Sequence, residues 1–188
     1  MLRYGVLFTL LLILFSACGS GPEEIPDDDN DLSLQDESRV ISESREAISI
    51  GSPDSLRLAV TDIELSEAGG SEIGRELTFI ALKLFSTLYP LLTPPETEVL
   101  PPPVSSMYIP LFEEIEQGKY HQVSQDEATF LTLILPPLAI MNTNRPEIAE
   151  LAASALEQAR SINPDSIIPY LLLGLLAERS GRREDAFF

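Results

Sequence analysis

The sequence predicts an all-α chain built from antiparallel helical hairpins. Three observations lead there. From Leu32 onward the apolar residues recur at helical rather than alternating spacing. Helix-start and helix-stop residues return at short intervals, as Gly51-Ser52-Pro53, Gly69-Gly70-Ser71 and Asn163-Pro164 do. No run of alternating β-branched and aromatic residues lies between turn signals, so essentially no sheet is expected.

The first helix is expected over about 33–50, with Val40, Ile41, Ala47, Ile48 and Ile50 near one stripe and Gly51 as its stop. Ser52 then reads as an N-cap and Pro53 as the first helical residue of a second helix reaching about Ser66. Its apolar set is Leu56, Leu58, Ala59, Ile63 and Leu65. A third helix is expected from about Glu72 to Tyr89, with Leu77, Ile80, Ala81, Leu84 and Leu88 inward and Pro90 as its end. Residues 90–103 carry six prolines and must be extended, because proline lacks the donor that a helix or sheet needs.

A fourth helix over about 106–117 ends at Gly118, and Ser124-x-x-Glu127 is a capping box that opens the next. The run Ala128–Met141 is apolar apart from two threonines and holds Pro136-Pro137 in its middle. A break or sharp kink is expected at Pro136. At fourteen residues this run suits a buried core helix rather than a membrane span. Asn144-x-x-Glu147 opens a helix to about Ile162, and a last full helix follows over about 166–180.

Composition sets the function classes. The 188 residues, 44% of them hydrophobic, suffice for one domain with a real core. Twelve basic against thirty acidic residues give a net charge of −18, the wrong sign for wrapping a phosphate backbone, so nucleic acid is not an expected partner. One Cys and one His exclude a disulfide framework and a zinc site built from Cys and His within one chain. No metal or other cofactor is expected.

The amino terminus reads as an address. Arg3 precedes an apolar run from Val6 to Phe15, whose ten residues rise about 15 Å as a helix, half a bilayer core. That length suits a secretory leader. Phe15-Ser16-Ala17-Cys18 followed by Gly19-Ser20-Gly21 resembles the lipobox of bacterial lipoproteins, although Phe15 stands where Leu is usual. The resemblance implies that residues 1–17 are a signal peptide and that Cys18 is lipidated and becomes the mature amino terminus. It places the protein in the bacterial cell envelope, at the outer membrane facing the periplasm or at the inner membrane. Cleavage after Gly19 by an ordinary signal peptidase is the alternative. Residues 19–37 then hold eight acids and no base, and residues 18–31 read as an acidic flexible tether, with 32–188 as the folded domain.

The carboxyl-terminal third carries a spacing of its own. Tyr170, Leu173, Gly174, Ala177, Gly181 and Ala186, with Ala152, Leu156, Ala159 and Pro164 one step of 34 residues back, stand at the positions of the tetratricopeptide repeat. The small residues let two helices approach, Gly181 permits the turn, and Pro164 divides one repeat from the next. Ile140 departs from the small-residue rule in the preceding repeat. Taken with the lipobox and tether, the chain is similar to tetratricopeptide lipoproteins of bacteria with two membranes. That resemblance implies a stacked α-solenoid with its clearest repeat over 150–186. Gly181–Phe188 reads as the start of a second repeat helix, so the chain is expected to be a truncated part of a longer array.

No phosphate loop or dinucleotide fingerprint is present. His121 lacks a partner nucleophile, Glu113, Glu114 and Glu116 read as a solvated helix face, and no enzyme is expected. The resemblance implies a partner-binding groove on the first helix of the clearest repeat, formed by Ile168, Leu171, Leu175, Glu178 and Arg179. The rival reading buries those leucines under a following repeat. The expected function is a membrane-anchored scaffold that binds an envelope protein or peptide segment. The alternative is an accessory of a solute transporter that holds a small hydrophobic ligand between helices.

Overall fold

The computed structural model describes residues 28–102, 108–117, 129–142 and 149–181. The chain divides into two units, residues 1–33 and residues 34–188. In the first unit the described residues, 28–33, are helical.

Among the described residues there are seven α-helices and no strand. They are α1 (Asp28–Ile50), α2 (Pro53–Glu64), α3 (Glu72–Leu88), α4 (Tyr108–Glu116), α5 (Phe130–Asn142), α6 (Ala149–Ile162) and α7 (Ile168–Arg179), with a 3-10 turn at Glu67–Gly70. None is long and apolar enough to cross a membrane.

α1 is helical from Asp28, the first described residue, and covers the helix expected over about 33–50. Gly51 ends it with φ +79°, a left-handed conformation that side chains other than glycine rarely adopt. Ser52 then caps α2, its Oγ accepting from the Ser55 N–H at 3.1 Å, and Pro53 occupies the first turn.

On α2, Leu56, Ala59, Val60 and Ile63 form the buried stripe. Leu58 and Leu65 belong to the outer face instead, because two residues from Leu56 or Ile63 is more than half a turn of helix. The turn to α3 is held by two serines. Ser66 accepts from the Ala68 N–H, and Ser71 caps α3 by accepting from the Gly74 N–H at 3.1 Å. A Cβ at Gly74 would strike the Ala68 carbonyl, so the glycine lets α3 sit on the 3-10 turn. Leu77, Ile80, Ala81, Leu84 and Phe85 face inward.

α5 packs against α3, α4, α6 and α7, and Leu133 through Met141 are all buried. A helix that is apolar all round belongs at the centre of a core. Pro136 and Pro137 lie within it without interrupting the helix, so the expected break is absent. A proline inside a helix costs about 3 kcal/mol. Burying one large aliphatic side chain contributes about 1.5–3 kcal/mol, and Leu133, Ile134, Leu135, Leu138 and Ile140 are buried together. Tertiary burial therefore outweighs the local penalty.

On α6, Ala152, Ala155, Leu156 and Ala159 form a stripe of mostly small side chains. Ile168, Leu172 and Leu176 form the buried stripe of α7. Pro164 stands in the turn between them and Gly181 follows α7 with φ +75°. Gly174 lies within α7; Ala186, its expected neighbour, is outside the described residues. The Pro-rich segment after α3 runs along α2: Arg57 donates to the Thr93 carbonyl at 2.6 Å, and the Glu98 N–H donates to Glu64 Oε1 at 2.6 Å.

Candidate functional site

The outer face of α3 carries Phe79, Leu82, Lys83, Ser86 and Thr87, spaced i, i+3, i+4, i+7 and i+8. The inner face of the same helix is the core stripe, so these five must meet something else or water. With Pro90, Met141 from the end of α5, and Leu175 and Arg179 from α7, they line a cavity of about 670 Å³ that is partly open to solvent. Its floor is apolar and its polar groups are two hydroxyls and two cations.

The cation from α3 is held in place by aromatic rings. Phe79 meets Phe112 of α4 edge to face, with centroids 5.9 Å apart and an interplanar angle of 90°. Lys83 Nζ lies 5.4 Å from each of the two ring centroids. Such contacts contribute about 0.5–1 kcal/mol at exposed sites, enough to bias the ammonium toward the two rings. Arg179 stands in the last turn of α7, where the negative end of the helix dipole favours a cation. Ser86 donates to its own helix at the Leu82 carbonyl, 2.8 Å away, which leaves its oxygen lone pairs for a ligand.

Of the residues expected to form a groove on the last helix, Leu175 and Arg179 line this cavity. Leu171 is one turn before Leu175 and is 38% exposed. Glu178 is exposed on the surface. Ile168 is fully buried, its side chain filling the space beside Gly51 where any Cβ would go. The α3 and α5 walls were not anticipated from the sequence. The signal for the α3 wall was present in the second apolar pair, Phe79 and Leu82, on the side away from Ile80 and Leu84.

Glu113 and Glu114 are exposed while their neighbours Phe112 and Ile115 are buried, as a solvated helix face requires. Cys18, His121 and the Ser124–Glu127 box lie outside the described residues. Among the described residues no group of three or more His, Cys, Asp or Glu could hold a metal ion.

Two titrating groups elsewhere are perturbed. The Arg39 guanidinium is held above its ordinary range by hydrogen bonds to Asp36 and Glu43 on the surface of α1. Burial raises the Tyr89 phenol, whose hydroxyl donates to the Gly51 carbonyl at 2.7 Å. Neither lines the cavity. Its lining offers apolar contact and positive charge, the chemistry of a binding site.

No family model, curated protein or solved structure matches the chain.

Proposed function

We propose that this chain is a non-enzymatic, tetratricopeptide-like scaffold, anchored through lipid on Cys18 in the bacterial cell envelope, that takes a segment of a partner protein. The partner seats in the groove between α3, α5 and α7. The observation that carries this reading is the cavity itself: an apolar floor of Phe79, Leu82, Met141 and Leu175, partly open to solvent and edged by fixed charge. Leu175 and Arg179 come from the helix face on which the repeat resemblance locates its binding surface.

A partly open groove between helices suits a docked chain, because apolar anchors enter the floor while the partner's other face stays in water. The alternative is a small hydrophobic ligand carried for a transporter. Its support is size, since about 670 Å³ lies within the roughly 300–1,000 Å³ of ordinary ligand sites.

The test uses the full chain expressed with its leader in a bacterium with two membranes. Capture from detergent extracts should retain one envelope protein stoichiometrically, and Leu175→Asp should release it. A fatty-acid label should appear on the wild-type chain and vanish in Cys18→Ala. Retention that Leu175→Asp leaves unchanged would remove the groove from the account.

A further inference from the structure

We infer that the groove selects an acidic amphipathic helix of a partner protein, with apolar anchors in its floor and carboxylates meeting Lys83 and Arg179. This rests on the docking reading given above and adds the chemistry of the occupant.

The charge argument comes from the contrast between the cavity and the chain. Acidic residues outnumber basic ones thirty to twelve, yet both charged residues lining the cavity are cations. Among the described residues neither Lys83 nor Arg179 pairs with a carboxylate; the ion pairs there belong to Arg39 and Arg160. Among the described residues no carboxylate competes with an incoming anion for either cation. A second copy of this chain, equally acidic and at −18, meets long-range repulsion before it arrives.

The length argument comes from α3. From Phe79 to Thr87 the lining covers eight steps of 1.5 Å, about 12 Å, or slightly over two turns. Anchors at i, i+3 or i+4, and i+7 of a docked helix span about 10.5 Å, so three of them fit the floor. Carboxylates flanking the anchor stripe then have two cations of the lining, Lys83 and Arg179, to meet. Lys83 needs little reordering for this, because Phe79 and Phe112 already restrict its ammonium.

The experiment measures binding of three labelled sixteen-residue helical peptides to the intact chain by fluorescence anisotropy. All three carry the same leucine anchors, flanked by glutamate, glutamine or lysine. The glutamate peptide should bind at least about tenfold tighter than the glutamine one, and the lysine peptide weakest. The preference should shrink in high salt, as partly exposed charge pairs do. Lys83→Glu with Arg179→Glu should invert the order, and Lys83→Ala with Arg179→Ala should abolish it, both with the wild-type helical spectrum. Equal binding of the three peptides, no binding by any, or a glutamate preference that survives charge reversal overturns the inference. Displacement of the glutamate peptide by oleate at lower concentration than by unlabelled peptide overturns it in favour of a small amphiphile. If the glutamate peptide binds with charge-reversal sensitivity but Leu175→Asp leaves its affinity unchanged, the fault lies with the groove reading itself.

Discussion

Gly51 and Ile168 occupy one another's space. The glycine that ends α1 has φ +79°, and the Ile168 side chain fills the position its Cβ would take. Around this contact the Ile167 N–H donates to the Ile50 carbonyl at 3.2 Å, Asn163 Nδ2 donates to Ser49 Oγ at 3.1 Å, and Tyr89 donates to the Gly51 carbonyl. The ends of α1, α3 and α6 and the start of α7 are thus fastened at one backbone turn, which sets where α7 lies beside α3.

Gly51→Ala should therefore destabilise the chain by about 2 kcal/mol or more, from left-handed backbone strain and from overlap with Ile168. Ile168→Ala should relieve the overlap but leave the strain, so a double-mutant cycle between the two positions should show coupling of about 1 kcal/mol. Urea denaturation followed by circular dichroism measures all four members. Additive effects at the two sites would contradict the packing described.

Tyr89 links the same turn to pH. Its phenol is raised by burial above the ordinary value of 10.0, so the folded state keeps the proton after the unfolded chain has lost it. The stability this contributes is complete below pH 10 and is lost as pH rises through and beyond that value. Tyr89→Phe should cost about 1 kcal/mol at pH 7 through the missing hydrogen bond. The gap between wild type and variant should then narrow above pH 10. A gap that widens there, read from urea midpoints, contradicts the assignment.

Arg57 fastens the Pro-rich segment, through Thr93 and by stacking 4.7 Å from the centroid of the Phe85 ring. Arg57→Ala should leave the helical content intact yet speed cleavage after Glu96 and Glu98 by a glutamate-specific protease several-fold. Unchanged cleavage kinetics would mean that the segment is held elsewhere.

Local signals were legible in the sequence because each acts within a few residues. Ser52-Pro53 capped α2, Gly51 ended α1, and Pro90 followed the end of α3, all from residue types whose preferences need no tertiary partner. The break expected at Pro136 is absent because its penalty is local while the burial that offsets it comes from α3, α4, α6 and α7. The cavity was half legible for the same reason. Leu175 and Arg179 are among the groove residues that the tetratricopeptide resemblance implies. That Lys83 and Met141 face them depends on how α7 is docked, through Ile168 and Gly51, beside α3 and α5.

The Pro136 account carries its own expectation. Pro136→Ala restores an N–H donor to the centre of α5 and loses only a few buried carbons, so it should stabilise the chain by about 1 kcal/mol. A loss of stability in thermal unfolding would show that the ring itself is needed for packing.

The central claim is that a partner enters between α3, α5 and α7, and photocrosslinking in intact cells tests it most directly. A benzophenone amino acid placed at Leu175 or at Thr87 of the full chain, expressed with its leader, should yield one discrete adduct with an envelope protein. The same probe at Leu65, which is 82% exposed and does not line the cavity, should yield none. Adducts of equal yield at all three positions, or none at Leu175 and Thr87, would contradict the account.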